Sequence, residues 1–175
     1  MEVIVKKILF LFLIVICSLP AFSIIDFEGI NWKDSKSSII PLFKNVQEEP
    51  SFSSGKEVLI ASGDNENIQN YKFYFNDNQL YKIRVCFNKE KVKSNEIKGI
   101  YKKITKDFGP SLAKNTINKK IDSYTLRGNY LKFIPNLDTD IYYIGVDTLD
   151  ENGNMIDSNL YLDYVDSRQK NNFEI

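Results

Sequence analysis

The chain has 175 residues, of which 43% are hydrophobic, 13% aromatic and 26% charged, and 23 basic residues balance 23 acidic ones. That is the composition of a globular protein, and it excludes a wholly disordered, collagen-like or nucleic-acid-coating chain. Histidine is absent, which removes Ser–His, Cys–His and His–metal sites together.

Residues 1–23 read as a secretory signal peptide: Lys6 and Lys7 precede an apolar run over 8–19, and Ala21-Phe22-Ser23 fits a small-x-small cleavage site. The run is shorter than the roughly 20 residues that span a bilayer. Lipidation of Cys17 is the alternative fate of this segment, although Ile16 stands where a lipobox prefers a small residue. Residues 24–166 then form the exported domain, and 167–175 a flexible polar tail. Cleavage leaves Cys86 as the one cysteine, so stability must come from packing and not from an internal disulfide.

In chain order, a first helix is expected over 35–44, short or kinked because of Pro41. Strands follow at 57–61, 71–75 and 79–87, the last two joined by a turn at Asn76-Asp77-Asn78. The second helix, 95–108, carries Ile97, Ile100, Tyr101, Ile104 and Phe108 as one apolar stripe, with Ser94 as its N-cap and Gly109-Pro110 as its stop. Further strands are expected at 120–126, 129–134, 140–146 and 159–165, with turns at Arg127-Gly128 and over 151–154. The order helix, three strands, helix, three or four strands suggests pseudo-repeats 30–88 and 94–166. The expected class is α+β: a two-layer fold of tandem units, each a helix plus an antiparallel three- or four-stranded sheet.

Several residues have chemistry to weigh. Cys86 has Arg84 and Lys82 on its strand face, yet no histidine to take its proton, which favours a structural thiol. Asp147, Asp150, Asn152, Asn154 and Asp157 crowd one loop, but Thr148 and Asn159 break the EF-hand pattern at both ends, and a turn on Asn152-Gly153 explains the same residues. Asp138 and Asp140 share a strand face and with Asp147 form the acidic set for a hydrolase alternative. There is no Gly-rich phosphate loop, CxxC or GxSxG, so no cofactor and no metal site are expected. Charge is unevenly placed: residues 82–120 hold 12 basic and 3 acidic side chains, whereas 138–166 hold 8 acidic and no basic ones. Mutual neutralisation across the fold is the plainer reading, and a basic docking face the sharper one.

All ten tyrosines lie between residues 71 and 164. If Tyr71, Phe73, Phe75, Tyr81, Ile83, Val85, Phe87, Leu131, Phe133, Ile144 and Val146 face the helices, the opposite face carries Lys72, Tyr74, Lys82, Arg84, Tyr130, Lys132 and Tyr143. Tyr and Arg are enriched where proteins bind one another. The same rings also stabilise strands through cross-strand pairs.

Gly29-Ile30-Asn31-Trp32-Lys33-Asp34-Ser35, followed after a helix by Tyr74-Phe75-Asn76-Asp77-Asn78-Gln79-Leu80-Tyr81-Lys82-Ile83, resembles small uncharacterised exported proteins of low-GC bacteria such as spirochaetes. The tandem helix-then-sheet outline is similar to that of secreted β-lactamase-inhibitor-type proteins and of small outer-membrane-assembly lipoproteins. The resemblance implies a sheet surface that binds a protein partner. The expected function is a non-catalytic envelope protein, periplasmic or at the cell surface, that binds an unknown envelope protein through the aromatic-basic face. A lipid-anchored assembly or adhesion protein and a hydrolase using acidic residues are the alternatives. Nucleic acid is not an expected partner, and membrane association is expected only through the anchor.

Overall fold

The computed structural model describes residue 24, residues 26–50 and residues 55–169. The signal peptide, Cys17 and the last six tail residues lie outside the described residues. Two units are distinguished, Met1–Asn31 and Trp32–Ile175. In the first, Ile24 and Phe27 form an isolated antiparallel bridge, and the Phe27 amide donates to the Ile24 carbonyl at 2.9 Å.

In the second unit, segments with alternating apolar side chains become strands, and eight strands join in one sheet. The elements are α1 (Lys36–Ile39), β1 (Gln47–Glu49), β2 (Lys56–Ser62), β3 (Ile68–Asn76), β4 (Gln79–Phe87), α2 (Ser94–Phe108), β5 (Ala113–Ile121), β6 (Tyr124–Phe133), β7 (Thr139–Leu149) and β8 (Met155–Asp166). The strand order is β1-β2-β3-β4-β8-β7-β6-β5, and every pairing is antiparallel. The expectation of two-layer α+β repeats is therefore corrected to a largely β fold built on a single sheet. Two physical causes underlie the difference. The first helix stops after one turn, because Pro41 sits in a 3-10 turn (Ile40–Leu42) that cannot continue an α-helix. The edge strands β1 and β5 are polar and mostly exposed, so apolar periodicity does not reveal them.

Turn chemistry sets the register. Asp77 and Asn78 have φ of 49° and 59°, the conformation of a type I′ turn, and close the β3–β4 hairpin where the sequence placed it. The β5–β6 turn falls instead at Asp122-Ser123, with Asp122 at φ 50°, and Arg127-Gly128 lies within β6. Gly128 is needed there for packing and not for turning: a Cβ would collide with the Gly145 carbonyl oxygen of β7. In the β7–β8 loop, one oxygen of Asp150 accepts the Asn152 and Asn154 amides at 2.9 and 2.8 Å, and Gly153 takes φ 81°.

One straight rung, Leu59–Phe73–Ile83–Tyr164–Ile141–Phe133, crosses six strands with every side chain at most 2% exposed. It belongs to the face that takes the helices. Phe43, just after α1, packs on Phe73 with ring centroids 4.7 Å apart. Tyr101 of α2 stacks on Tyr143 at 6.4 Å, and the Tyr143 hydroxyl donates to the Ile97 carbonyl at 3.2 Å. The N-cap of α2 is Lys93, one residue before the expected Ser94, and its amide donates to Glu96 Oε2 at 3.1 Å. Trp32 donates from Nε1 to Thr139 Oγ1 at 3.1 Å and so fastens the start of the unit to β7.

The opposite face has an apolar cluster of its own: Ile117, Tyr142, Ile144, Val146 and Val165, flanked by Leu126, Tyr130 and Tyr161. Ile144 and Val146, expected toward the helices, lie here. Among the described residues, no helix is long and apolar enough to cross a membrane.

Candidate functional site

The register assembles most of the anticipated residues on the second face. Lys72, Arg84, Asp163, Tyr142 and Lys132 are successive partners across β3, β4, β8, β7 and β6. On one side of this rung stand Tyr74, Lys82, Val165 and Asp140; on the other stand Cys86, Tyr161, Ile144 and Tyr130. Lys72, Tyr74, Lys82, Arg84, Tyr130 and Lys132 thus share one face. Tyr143 does not: it pairs with Leu162 and Leu131 and faces α2. The residue on the expected face is its neighbour Tyr142.

The centre is Asp163, which is fully buried. Arg84 grips both its oxygens, Nε to Oδ1 at 2.7 Å and Nη2 to Oδ2 at 2.8 Å, and Lys82 Nζ stands 3.1 Å from Oδ2. Burial opposes the carboxylate charge, but Arg84 and Lys82 outweigh it and hold the Asp163 carboxyl below its usual range. Burial likewise opposes the Arg84 charge, and Asp163 more than restores it. Both cations also sit over rings, Lys82 4.8 Å from the Tyr74 centroid and Arg84 4.4 Å from that of Tyr161. Burial pushes the Tyr161 hydroxyl up to about 12, so it stays protonated and neutral.

The flanks repeat this pairing. Lys72 bonds both Glu49 oxygens, at 3.1 and 3.0 Å. Lys132 lies 2.7 Å from Asp140 Oδ2 and 5.4 Å over the Tyr142 ring. Tyr130 meets Tyr142 edge to face at 5.8 Å. Each of the four expected cations is therefore matched by a carboxylate. Lys82 and Arg84 share Asp163, so the four cations face three carboxylates and the tyrosine surface keeps one net positive charge, placed at its buried centre. Of the basic stretch 82–120, Lys82 and Arg84 meet Asp163 and Lys89 meets Asp157, which ties part of it to the acidic stretch 138–166.

Accessibility divides the set. The side chains of Lys72 and Lys132 are 25% and 29% exposed, whereas those of Lys82 and Arg84 are 3% and 12% exposed. The outer pairs can touch a partner; the inner pair holds the sheet together.

The other candidates do not converge. Asp140 and Asp147 lie seven residues apart on β7 and so point to opposite faces. Asp147 bonds the Ser158 hydroxyl at 2.6 Å, and Asp138 lies 3.8 Å from Arg168. The Cys86 thiol is buried, and burial pushes its pKa up to about 11, which keeps it protonated at neutral pH. Among the described residues, no group of three or more Cys, Asp or Glu could hold a metal ion.

Sequence reasoning missed Tyr142, Tyr161 and Asp163. The available signal was Asp163 itself, a lone carboxylate inside Tyr161-Leu162-Asp163-Tyr164-Val165 that needs a buried cation as partner. The chain matches no protein-family model, no curated protein and no solved structure.

Proposed function

We propose that the protein is an exported, non-catalytic module of the cell envelope that binds a protein partner through the outer part of this tyrosine face. The observation that supports it is the rung from Lys72 to Lys132, which fixes aromatic rings and paired charges across five strands. Tyrosine held by cross-strand neighbours loses little conformational entropy on docking, and such rings are frequent anchors of protein interfaces. Cations that already face carboxylates suit a protein surface of mixed charge better than a nucleic acid or an anionic polymer.

The test uses side chains clear of the Asp163 triad. Lys72→Ala combined with Tyr130→Ala should keep the melting transition but weaken capture of the envelope partner more than about tenfold, the effect of losing about 1.4 kcal/mol. Lys102→Ala, on the exposed side of α2, should leave capture unchanged. Equal recovery of the same partner by the double variant and by the wild type rejects the proposed face.

A further inference from the structure

The face that takes α2 is incompletely filled. A cleft of about 560 Å³ runs between the N-terminal part of α2, the loop before it and the sheet. Its apolar walls are Phe87, Leu131, Tyr143 and Leu160 from four strands, with Val92 and Ile97 opposite. Ile97 and Tyr101 belong to the apolar stripe that should seat the helix, yet they are 37% and 38% exposed. Gly145 lies in the floor, in mid-strand, and a Cβ built on it would meet nothing within 4 Å. A glycine in a strand interior costs stability unless something approaches closely, and here the approach is left open.

One amide stands in the floor, because Asn129 of β6 is the register partner of Gly145 and shares its face. The Tyr143 hydroxyl is already used by the Ile97 carbonyl, so it does not serve the interior. Of the two lysines that line the cleft, Lys89 pairs with Asp157 at 2.7 Å. Lys114, beside Leu131 at the β5 edge, forms no ion pair among the described residues. Asp147, the one acid in the lining, accepts from the Ser158 hydroxyl and keeps its charge, but it lies four residues along β7 from Tyr143, the level at which Lys114 stands. An apolar trough of the volume typical for small-molecule sites, with one uncommitted cation at its border, selects an amphiphile.

We propose that this cleft binds a single-chain amphiphile with an anionic head, of the fatty acid class, its chain over Gly145 and its carboxylate at Lys114. The site lies on the opposite face of the sheet from the tyrosine rung and does not depend on the reading given to that rung.

The probe is 11-(dansylamino)undecanoic acid, titrated into the full chain below its micelle concentration. Saturable fluorescence enhancement is expected, displaced by laurate at least tenfold more effectively than by dodecyltrimethylammonium. Gly145→Leu, whose side chain enters open space, should weaken probe binding at least tenfold with an unchanged melting transition. Ile97→Trp fills the cleft from the helix side and should do the same, which keeps the test decisive if Gly145→Leu fails to fold. Lys114→Glu should abolish the preference for laurate. No saturable binding by the wild type, binding untouched in folded cleft-filling variants, or an unchanged head-group preference in Lys114→Glu overturns the assignment.

Discussion

At the scale of single residues, Asp163 has the largest consequences. It is a fully buried carboxylate held by two cations that are themselves almost wholly buried. Breaking a buried ion pair from one side leaves uncompensated charge, which costs about 3–5 kcal/mol. Asp163→Asn should therefore lower unfolding stability by about that amount, measured as a shift of the urea midpoint; a change under about 1 kcal/mol contradicts the geometry. The pH dependence follows from the same site. The folded carboxyl titrates below its unfolded value of about 3.9, so its contribution is complete above about pH 5. It is lost as pH falls from there through the folded value, where protonation releases Arg84 and Lys82. The wild type should lose stability steeply over that acid range, and Asp163→Asn should lose less of it. Parallel acid limbs for the two proteins would show that Asp163 is not charged in the fold.

At the scale of elements, legibility followed how many faces of a strand are buried. The elements β3, β4 and α2 were readable, because β3 buries one face, α2 carries its apolar residues at helical spacing ahead of a Gly-Pro stop, and the Asp77-Asn78 turn fixes the phase between β3 and β4. Strand β7 buries side chains on both faces, so Ile141-Tyr142-Tyr143-Ile144 is apolar throughout and its alternation does not give the phase. That single ambiguity moved Tyr143 onto the wrong face and Ile144 and Val146 with it. The polar edges β1 and β5 hide for the opposite reason, burying too little to show a period. Gly128 looked like a turn because glycine has two uses, and only the pairing of β6 with β7 shows which applies. Gly128→Ala should accordingly destabilise the sheet by more than the few tenths of a kcal/mol of an ordinary surface change, because its Cβ would strike backbone that cannot swing aside. Gly145→Ala, with open space above it, is the control and should be neutral or mildly stabilising. Equal melting temperatures for the two variants would contradict the close approach of β6 to β7.

At the scale of the whole sheet, two four-stranded meanders meet at one seam, β4 against β8. Five register pairs, Lys82 with Val165 through Cys86 with Tyr161, form that seam, and the Asp163 triad lies across it. Severing the seam costs more than backbone hydrogen bonds. It exposes a long central edge, and it leaves Lys82 and Arg84 of one meander and Asp163 of the other each without its counter-charge. Fully buried Ile83 on β4 would also lose its cover from Tyr164. Neither meander should therefore be stable alone. A fragment comprising residues 32–92, cut in the loop before α2, should show no cooperative thermal transition by circular dichroism. Mixing it with a fragment of residues 93–175 should restore one whose midpoint rises with concentration, as expected for folding coupled to association. Carrying Asp163→Asn in the second fragment should weaken that association by the penalty seen in the intact chain. A cooperative transition in either fragment by itself would mean that the meanders are independent and the seam incidental.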